Sequence, residues 1–181
     1  GDIVTAGRRL SAAALPQEVV SMRPLAAALA VACLLVQPAG TQPRGLKVHI
    51  SVDMEGIAGV VTGDQIGPQG FEYGRFRDFM TKEALAAVAA AKEAGATEIV
   101  VADAHGNGEN LLVEQFPADV KIVRSWPRQL QMMGGLDQTF DAAVFIGYHA
   151  STTNPTGVRA HTFSSATLTK VTLNGVEMSE G

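Results

Sequence analysis

The sequence predicts an α/β protein of three layers, in which a mainly parallel sheet carries helices on both faces. Three observations predict this fold: short β-branched segments of strand type recur, segments with apolar residues at helical spacing separate them, and glycines or prolines mark the junctions. Hydrophobic residues make up 46% of the 181 residues and charged residues 18%, which permits a packed core. This length fits one domain, or one domain and part of another.

The first two elements of the predicted domain are a strand and a long helix. Leu46–Val52, which reads LKVHISV, is β-branched and apolar and predicts a buried strand. Gly56–Gly70 contains several glycines and a proline and predicts a loop. Apolar residues recur at helical spacing over Tyr73–Ala94, and Gly95 predicts the end of this helix.

The remaining segments continue the alternation of strands with helices or loops. Because strands separated by helical segments favour parallel pairing, we expect these strands to extend the same sheet. The predicted elements are the strands Thr97–Asp103, Val120–Val123, Asp141–His149 and Thr167–Gly175, the short helix or turn Leu111–Phe116 and the helix Pro127–Gly134.

The N-terminal part of the chain is interpreted as a targeting region. Residues 1–21 show no clear pattern and are interpreted as a non-native extension before Met22. Residues 22–40 have one arginine before a short apolar run, which is typical of a signal peptide, and residues 41–45 are a linker. The run is too short for a stable membrane span. We therefore expect an exported protein, periplasmic or secreted, or a cytoplasmic one if the segment is not a signal.

Charge and cysteine content exclude several classes of site. The net charge is -4 and no basic cluster is present, so nucleic acid is not an expected partner. The one cysteine, Cys33, excludes an intrachain disulfide framework and a zinc site built on thiolates. Any metal ligands in this chain must therefore be His, Asp or Glu.

Acids and histidines follow three of the predicted strands. Asp53 and Glu55 come directly after the first strand, His105 after the second, and His149 ends the fourth. Because the carboxyl ends of parallel strands lie along one edge of a sheet, these side chains are expected to meet there. Carboxylate oxygens and imidazole nitrogens suit zinc or a similar divalent ion.

Structural roles compete with this interpretation at several positions. Asp103 can accept backbone N–H bonds within its own turn, and His49 lies inside the first strand and fits a structural role. The aromatic residues Trp126, Phe140 and Phe145 are assigned to the core. The other three of the four histidines, including His161, fall in loops at or after strand ends, which favours a metal site.

Four motifs in order resemble one known family. SVDMEGIAG, ADAHGNGENL, GLDQTFDAAVFIGYHA and GVRAHTF are similar to motifs of the D-aminopeptidase family, peptidase family M55, over Leu46 to the end of the chain. The resemblance implies a zinc-dependent aminopeptidase that hydrolyses short peptides with N-terminal D-amino acids, by attack of metal-activated water on the peptide carbonyl. It also implies a ring-shaped homo-oligomer.

The resemblance implies a role for each motif residue. Asp53 matches a ligand that bridges two zinc ions in each subunit, with Glu55 and His105 completing one site and His149 the other. A last ligand matches Glu180 better than Glu177, and the family's catalytic histidine matches His161. The resemblance implies a nucleophilic His161, whereas general base or oxyanion donor is the chemically simpler role, and both remain open here.

The resemblance also sets the expected domain boundaries. Residues 46–165 are expected to form the metal-binding catalytic domain, and residues 166–181 to begin a second, C-terminal domain that is truncated, so that this fragment alone is expected to lack activity. Two other functions stay open: a metal-dependent phosphoryl hydrolase, because DME is similar to the aspartate pair of dehalogenase-type phosphatases, and an exported, non-catalytic module that binds peptide or metal.

Overall fold

A four-stranded parallel sheet forms the centre of the protein. The computed structural model describes residues 44–164 and 166–178. The strands are β1 (Leu46–Val52), β2 (Ala96–Asp103), β3 (Val120–Val123) and β4 (Ala142–Ile146), in the order β3-β2-β1-β4. All three neighbouring pairs are parallel. The predicted α/β class with a mainly parallel sheet is therefore confirmed.

One face of the sheet packs against a long α-helix, α1, which spans Tyr73–Glu93. Its buried side is formed by residues at helical spacing, namely Phe76, Met80, Thr81, Ala84 and Val88. These contact the alternate, inward-facing residues of β1 and β2, among them Ile50 and Val101, which are paired in register and fully buried. Burial of each of the large apolar side chains among them stabilises the fold by about 1.5–3 kcal/mol.

The other face is covered by irregular chain, and here the prediction of a helix over Pro127–Gly134 is wrong. In the described part of the chain, this segment contains only the 3-10 turn Gln131–Met133. Leu130 and Gln131 have left-handed backbone angles, with φ of 59° and 49°, so a right-handed helix cannot run through them. Within the described residues, the three layers therefore consist of a helix, a sheet and a layer without an α-helix.

The C-terminal segment forms a separate hairpin. The single strand predicted over Thr167–Gly175 is two antiparallel strands, β5 (Val171–Leu173) and β6 (Val176–Met178). Asn174 and Gly175 form the turn, and both have positive φ, as a two-residue hairpin turn requires. No helix in the described residues is long and apolar enough to cross a membrane.

Several predictions fall on residues outside the described ranges. They concern the extension 1–21, the signal peptide 22–40, most of the linker 41–45, and Glu180. The prediction that residues 166–181 begin a second domain also stays a prediction.

The ends of β1 and β4 are held together by two glycines. The N–H of Gly56 donates to the carbonyl of Gly147 at 2.7 Å. A Cβ atom on Gly56 would lie 2.2 Å from the carbonyl oxygen of Tyr148, and one on Gly147, whose φ is +68°, would lie 2.2 Å from that of Asp53. Gly147 also ends β4 three residues earlier than the predicted strand Asp141–His149. This close approach brings the chain after β1 against the chain after β4.

We predict that Gly56→Ala lowers the free energy of unfolding by about 1–3 kcal/mol, because the added methyl meets a backbone atom that cannot rotate away. Urea unfolding measures the change. Gly74→Ala is the matched control: no atom lies within 4 Å of its Cβ position, and alanine favours helix, so stability is unchanged or higher. Equal stabilities of the two variants would refute the close-approach argument.

Candidate metal centre

The predicted cluster assembles at the carboxyl edge of the sheet. Asp53 follows β1 directly, His105 lies two residues after β2, and His149 three residues after β4. Parallel strands point these three segments to one edge, as the sequence predicts. Asp53, Glu55 and His105 are each at most 7% exposed.

Asp53, Glu55 and His105 form the tightest group. Nδ1 of His105 lies 2.9 Å from Oε2 of Glu55 and 3.2 Å from Oδ1 of Asp53. One ligand atom from each of the three residues lies within 4.8 Å of the others, so the group could hold one metal ion. Buried carboxylates need such a cation, or strong hydrogen bonds, to offset the loss of water.

Two further histidines face the same carboxylates. Nε2 of His149 lies 3.9 Å from Oδ2 of Asp53, and Nε2 of His161 lies 3.7 Å from Oε1 of Glu55. The two imidazole rings stack, with centroids 3.6 Å apart. The structure thus brings five of the six predicted site residues together, and the sixth, Glu180, lies outside the described residues.

Backbone carbonyls orient all three imidazoles. Nε2 of His105 contacts the carbonyl of Ile66 at 2.7 Å, Nδ1 of His149 that of Ala150 at 2.9 Å, and Nδ1 of His161 that of Arg159 at 2.6 Å. A carbonyl only accepts, so each of these nitrogens carries a proton. In a neutral ring, the other nitrogen presents its lone pair to the carboxylates. Metal-binding histidines are held in this way, so the donor set fits zinc.

Without a metal, the cluster shares protons unevenly. Burial raises the pKa of Asp53 to about 6. Burial also acts to raise the pKa of Glu55, but hydrogen bonds from His105 and Asp53 outweigh it and lower that pKa to about 2. For His105, burial acts to lower the pKa, but its hydrogen bonds to the two carboxylates raise it to about 10. The three groups therefore hold a proton where a cation would fit.

Asp103 has a structural role, as its possible bonds to backbone N–H groups suggested. Its Oδ2 accepts the N–H groups of Asn110 and Leu111 at 2.6 and 2.7 Å, and its Oδ1 accepts the side-chain amide of Asn110 at 2.8 Å. That amide also donates to the carbonyl of His105 at 2.6 Å. Asp103 therefore fixes the loop that carries His105. His49 is also structural, since its Nε2 bonds the carbonyl of Gly134.

The cluster forms one side of a cavity of about 680 Å³. The lining includes aromatic residues that the sequence analysis assigned to the core or did not single out. Phe145, which was assigned to the core, is 55% exposed and lines the cavity, as do Trp126 and Tyr148. Trp126 follows the end of β3 and Tyr148 the end of β4, so the strand-end argument applied to the acids could have found both.

Fold and site together define an α/β protein with a candidate centre for a divalent metal. The model of the D-aminopeptidase family, peptidase family M55, matches residues 46–181. The chain therefore belongs to the D-aminopeptidase family.

Two relatives agree with this family. A D-aminopeptidase of Bacillus subtilis (strain 168) is 38% identical over 116 residues, which are 64% of this chain and 42% of that protein. The solved structure of the Zn-dependent D-aminopeptidase DppA from Bacillus subtilis, a self-compartmentalizing protease, is 34% identical with a TM-score of 0.68. The match covers 75% of this chain and 48% of DppA. The chain thus spans less than half the length of both relatives.

Proposed function

We propose that the full-length protein is a zinc-dependent aminopeptidase that releases N-terminal D-amino acids from short peptides. The observation that carries this proposal is the cluster of two buried carboxylates faced by three imidazoles, each with one nitrogen fixed by a backbone carbonyl. The family match and the names of the two relatives supply the substrate class.

Each residue of the cluster has a role in the proposal. Asp53, Glu55 and His105 would hold one zinc ion, and His149 would hold a second one with Asp53, to which Glu180 is proposed to contribute. Zinc, when bound, polarises a peptide carbonyl and lowers the pKa of water. His161 is 41% exposed at the side chain and sits at the same cavity. Its Nδ1 proton is committed to a carbonyl, so Nε2 is free to accept a proton, which favours a general base over an oxyanion donor.

The phosphoryl hydrolase is the weaker alternative. Phosphatases of that type hold magnesium with carboxylates, waters and the substrate's phosphate, since magnesium prefers oxygen ligands. Here three imidazole nitrogens face the carboxylates, and nitrogen ligands favour zinc. A non-catalytic module for peptide or metal would not require His161 at the cavity beside Glu55.

We also propose that residues 22–40 direct export, that residues 46–165 form the catalytic domain, and that the mature protein assembles as a ring-shaped homo-oligomer. The proposed assembly rests on the similarity to DppA, which is described as a self-compartmentalizing protease. Sizing the mature protein from an extracytoplasmic fraction checks export and assembly together, and a cytoplasmic monomer would contradict both.

We predict that Asp53→Asn in the full-length protein lowers both zinc content and the turnover of D-Ala-D-Ala, the latter by about 100-fold or more, because the amide removes a negative ligand at constant shape. His161→Ala is expected to retain zinc and to lower kcat by about 100-fold or more. Atomic emission and a ninhydrin assay, with L-Ala-L-Ala as the paired substrate, measure both effects.

Asp119→Asn is the matched control, because its carboxylate is 68% exposed, pairs only with Lys92 among the described residues, and lies outside the cavity. It is expected to leave zinc content and turnover unchanged. Full zinc content and turnover in Asp53→Asn would end the metal hypothesis. Unchanged turnover in His161→Ala would remove this residue from the chemistry, and hydrolysis of the L-peptide alone would exclude a D-aminopeptidase.

We predict that zinc binding at pH 7 releases about one proton from His105. In the metal-free protein, contact with Asp53 and Glu55 raises the pKa of this imidazole to about 10, so Nδ1 is protonated at pH 7 and must lose its proton to bind metal. Below pH 10, affinity should therefore rise with pH, by up to about tenfold per unit. Calorimetry in buffers of different ionisation enthalpy counts the protons.

His105→Gln is the comparison variant for this titration, because glutamine lacks both the titrating proton and the imidazole nitrogen that would bind the metal. Zinc binding to the wild-type protein that is independent of pH between 7 and 9, with no proton release, is the result that would contradict the prediction.

A further inference from the structure

The residues that line the cavity include an apolar set besides the metal ligands. We name this set the apolar wall, and it consists of Trp126, Met132, Phe145, Tyr148 and Phe163. It shares one continuous space with the carboxylates and histidines of the candidate metal centre. One bound molecule can therefore contact both the apolar wall and the candidate metal centre.

The lining provides no charge for a polar side chain of a substrate. Apart from the metal cluster, the polar side chains that line the cavity in the described residues are the amide of Gln131 and the hydroxyl of Tyr148. The hydroxyl is already used: Ser51 Oγ donates to the carbonyl of Met132 at 2.7 Å, so Tyr148 donates to Ser51 Oγ at 2.7 Å. A basic or acidic side chain against the wall would lose its water without gaining a partner.

Trp126 is held in a fixed orientation within this wall. Its Nε1–H donates to the carbonyl of Gly106 at 2.7 Å, and the Arg128 guanidinium lies 4.0 Å from the ring. Arg128 in turn donates to the carbonyl of Asp103 at 2.5 Å and to that of Gln131 at 2.8 Å. The ring is thus braced from the loop that carries His105, and an aromatic surface fixed before binding loses little entropy on contact.

The size of the cavity matches a bulky group. Its volume of about 680 Å³ lies in the range of pockets that enclose drug-sized ligands, well above what one alanine methyl fills. We propose, on the basis of the proposed aminopeptidase function, that the apolar wall binds a large apolar side chain of the peptide substrate, aromatic or long aliphatic, and that Trp126 determines this preference.

The kinetic test compares D-Phe-D-Ala with D-Ala-D-Ala on the full-length, zinc-loaded protein. We expect the wild-type kcat/KM to be at least about tenfold higher for D-Phe-D-Ala, and Trp126→Ala to reduce this ratio by about tenfold or more. Phe71→Ala is the control for removal of an aromatic ring, because Phe71 is 97% exposed and does not line the cavity, and it should leave the ratio unchanged.

A preference for D-Ala-D-Ala in the wild type overturns the proposal, as does an unchanged ratio in Trp126→Ala. If Trp126→Ala does not fold, the wild-type ratio of the two kcat/KM values still tests the proposal. Trp126→Phe then replaces Trp126→Ala as the milder variant.

A binding measurement separates failure of this proposal from failure of the aminopeptidase function. Tryptophan emission is followed during titration with D-phenylalanine amide, and Trp126→Phe identifies the part that comes from Trp126. A saturable change that D-alanine amide does not produce supports the subsite even if no dipeptide is hydrolysed. Hydrolysis without any response of Trp126 overturns the subsite and leaves the aminopeptidase function standing.

Discussion

Two carboxylates almost removed from water, on Asp53 and Glu55, are the constraint on which the rest of the site depends. Their adjacent negative charges are costly to bury unless a cation or strong donors offset them. His105 contacts both at 2.9 and 3.2 Å, while His149 and His161 each face one of them. Because each imidazole donates one N–H to a backbone carbonyl, the other nitrogen of each ring faces a carboxylate. A cation between them satisfies both sets, which explains why one site concentrates so many titratable groups.

The fold brings these groups together through strand ends and close backbone approach. Strand β1 is central in the sheet, so the chain after it can meet residues that follow both of its neighbours, β2 and β4. Gly56 and Gly147 allow the chain after β1 to pack directly on the chain after β4, where any side chain would collide with a carbonyl. Gly56, directly after Glu55, and Gly147, directly after β4, therefore help to bring the metal-ligand candidates together.

The sequence predicts the positions of residues that directly follow strands. It does not predict positions that are determined by contacts between distant parts of the chain. Asp53, Glu55, His105 and His149 could be placed at one edge because parallel strands share their direction. The arrival of His161 beside Glu55 followed from family resemblance, since a loop of irregular backbone carries it there. The exposure of Phe145 depends on β4 lying at the edge of the sheet, and strand order is not encoded in local periodicity. The hairpin turn at Asn174 and Gly175, by contrast, carried a readable signal.

The helix wrongly predicted over Pro127–Gly134 shows how stability and specificity are linked. Two polar side chains in the middle of β1, His49 and Ser51, are fully buried on the face that this segment covers. They bond the carbonyls of Gly134 and Met132. Buried polar side chains need hydrogen-bond partners, and the backbone of this segment supplies them. The left-handed backbone angles of Leu130 and Gln131 exclude an α-helix here. Met132 of this segment and Trp126, which directly precedes it, line the cavity. Strand β1 therefore carries the carboxylates at its end and, through Ser51 in its middle, holds Met132 and Tyr148 of the apolar wall.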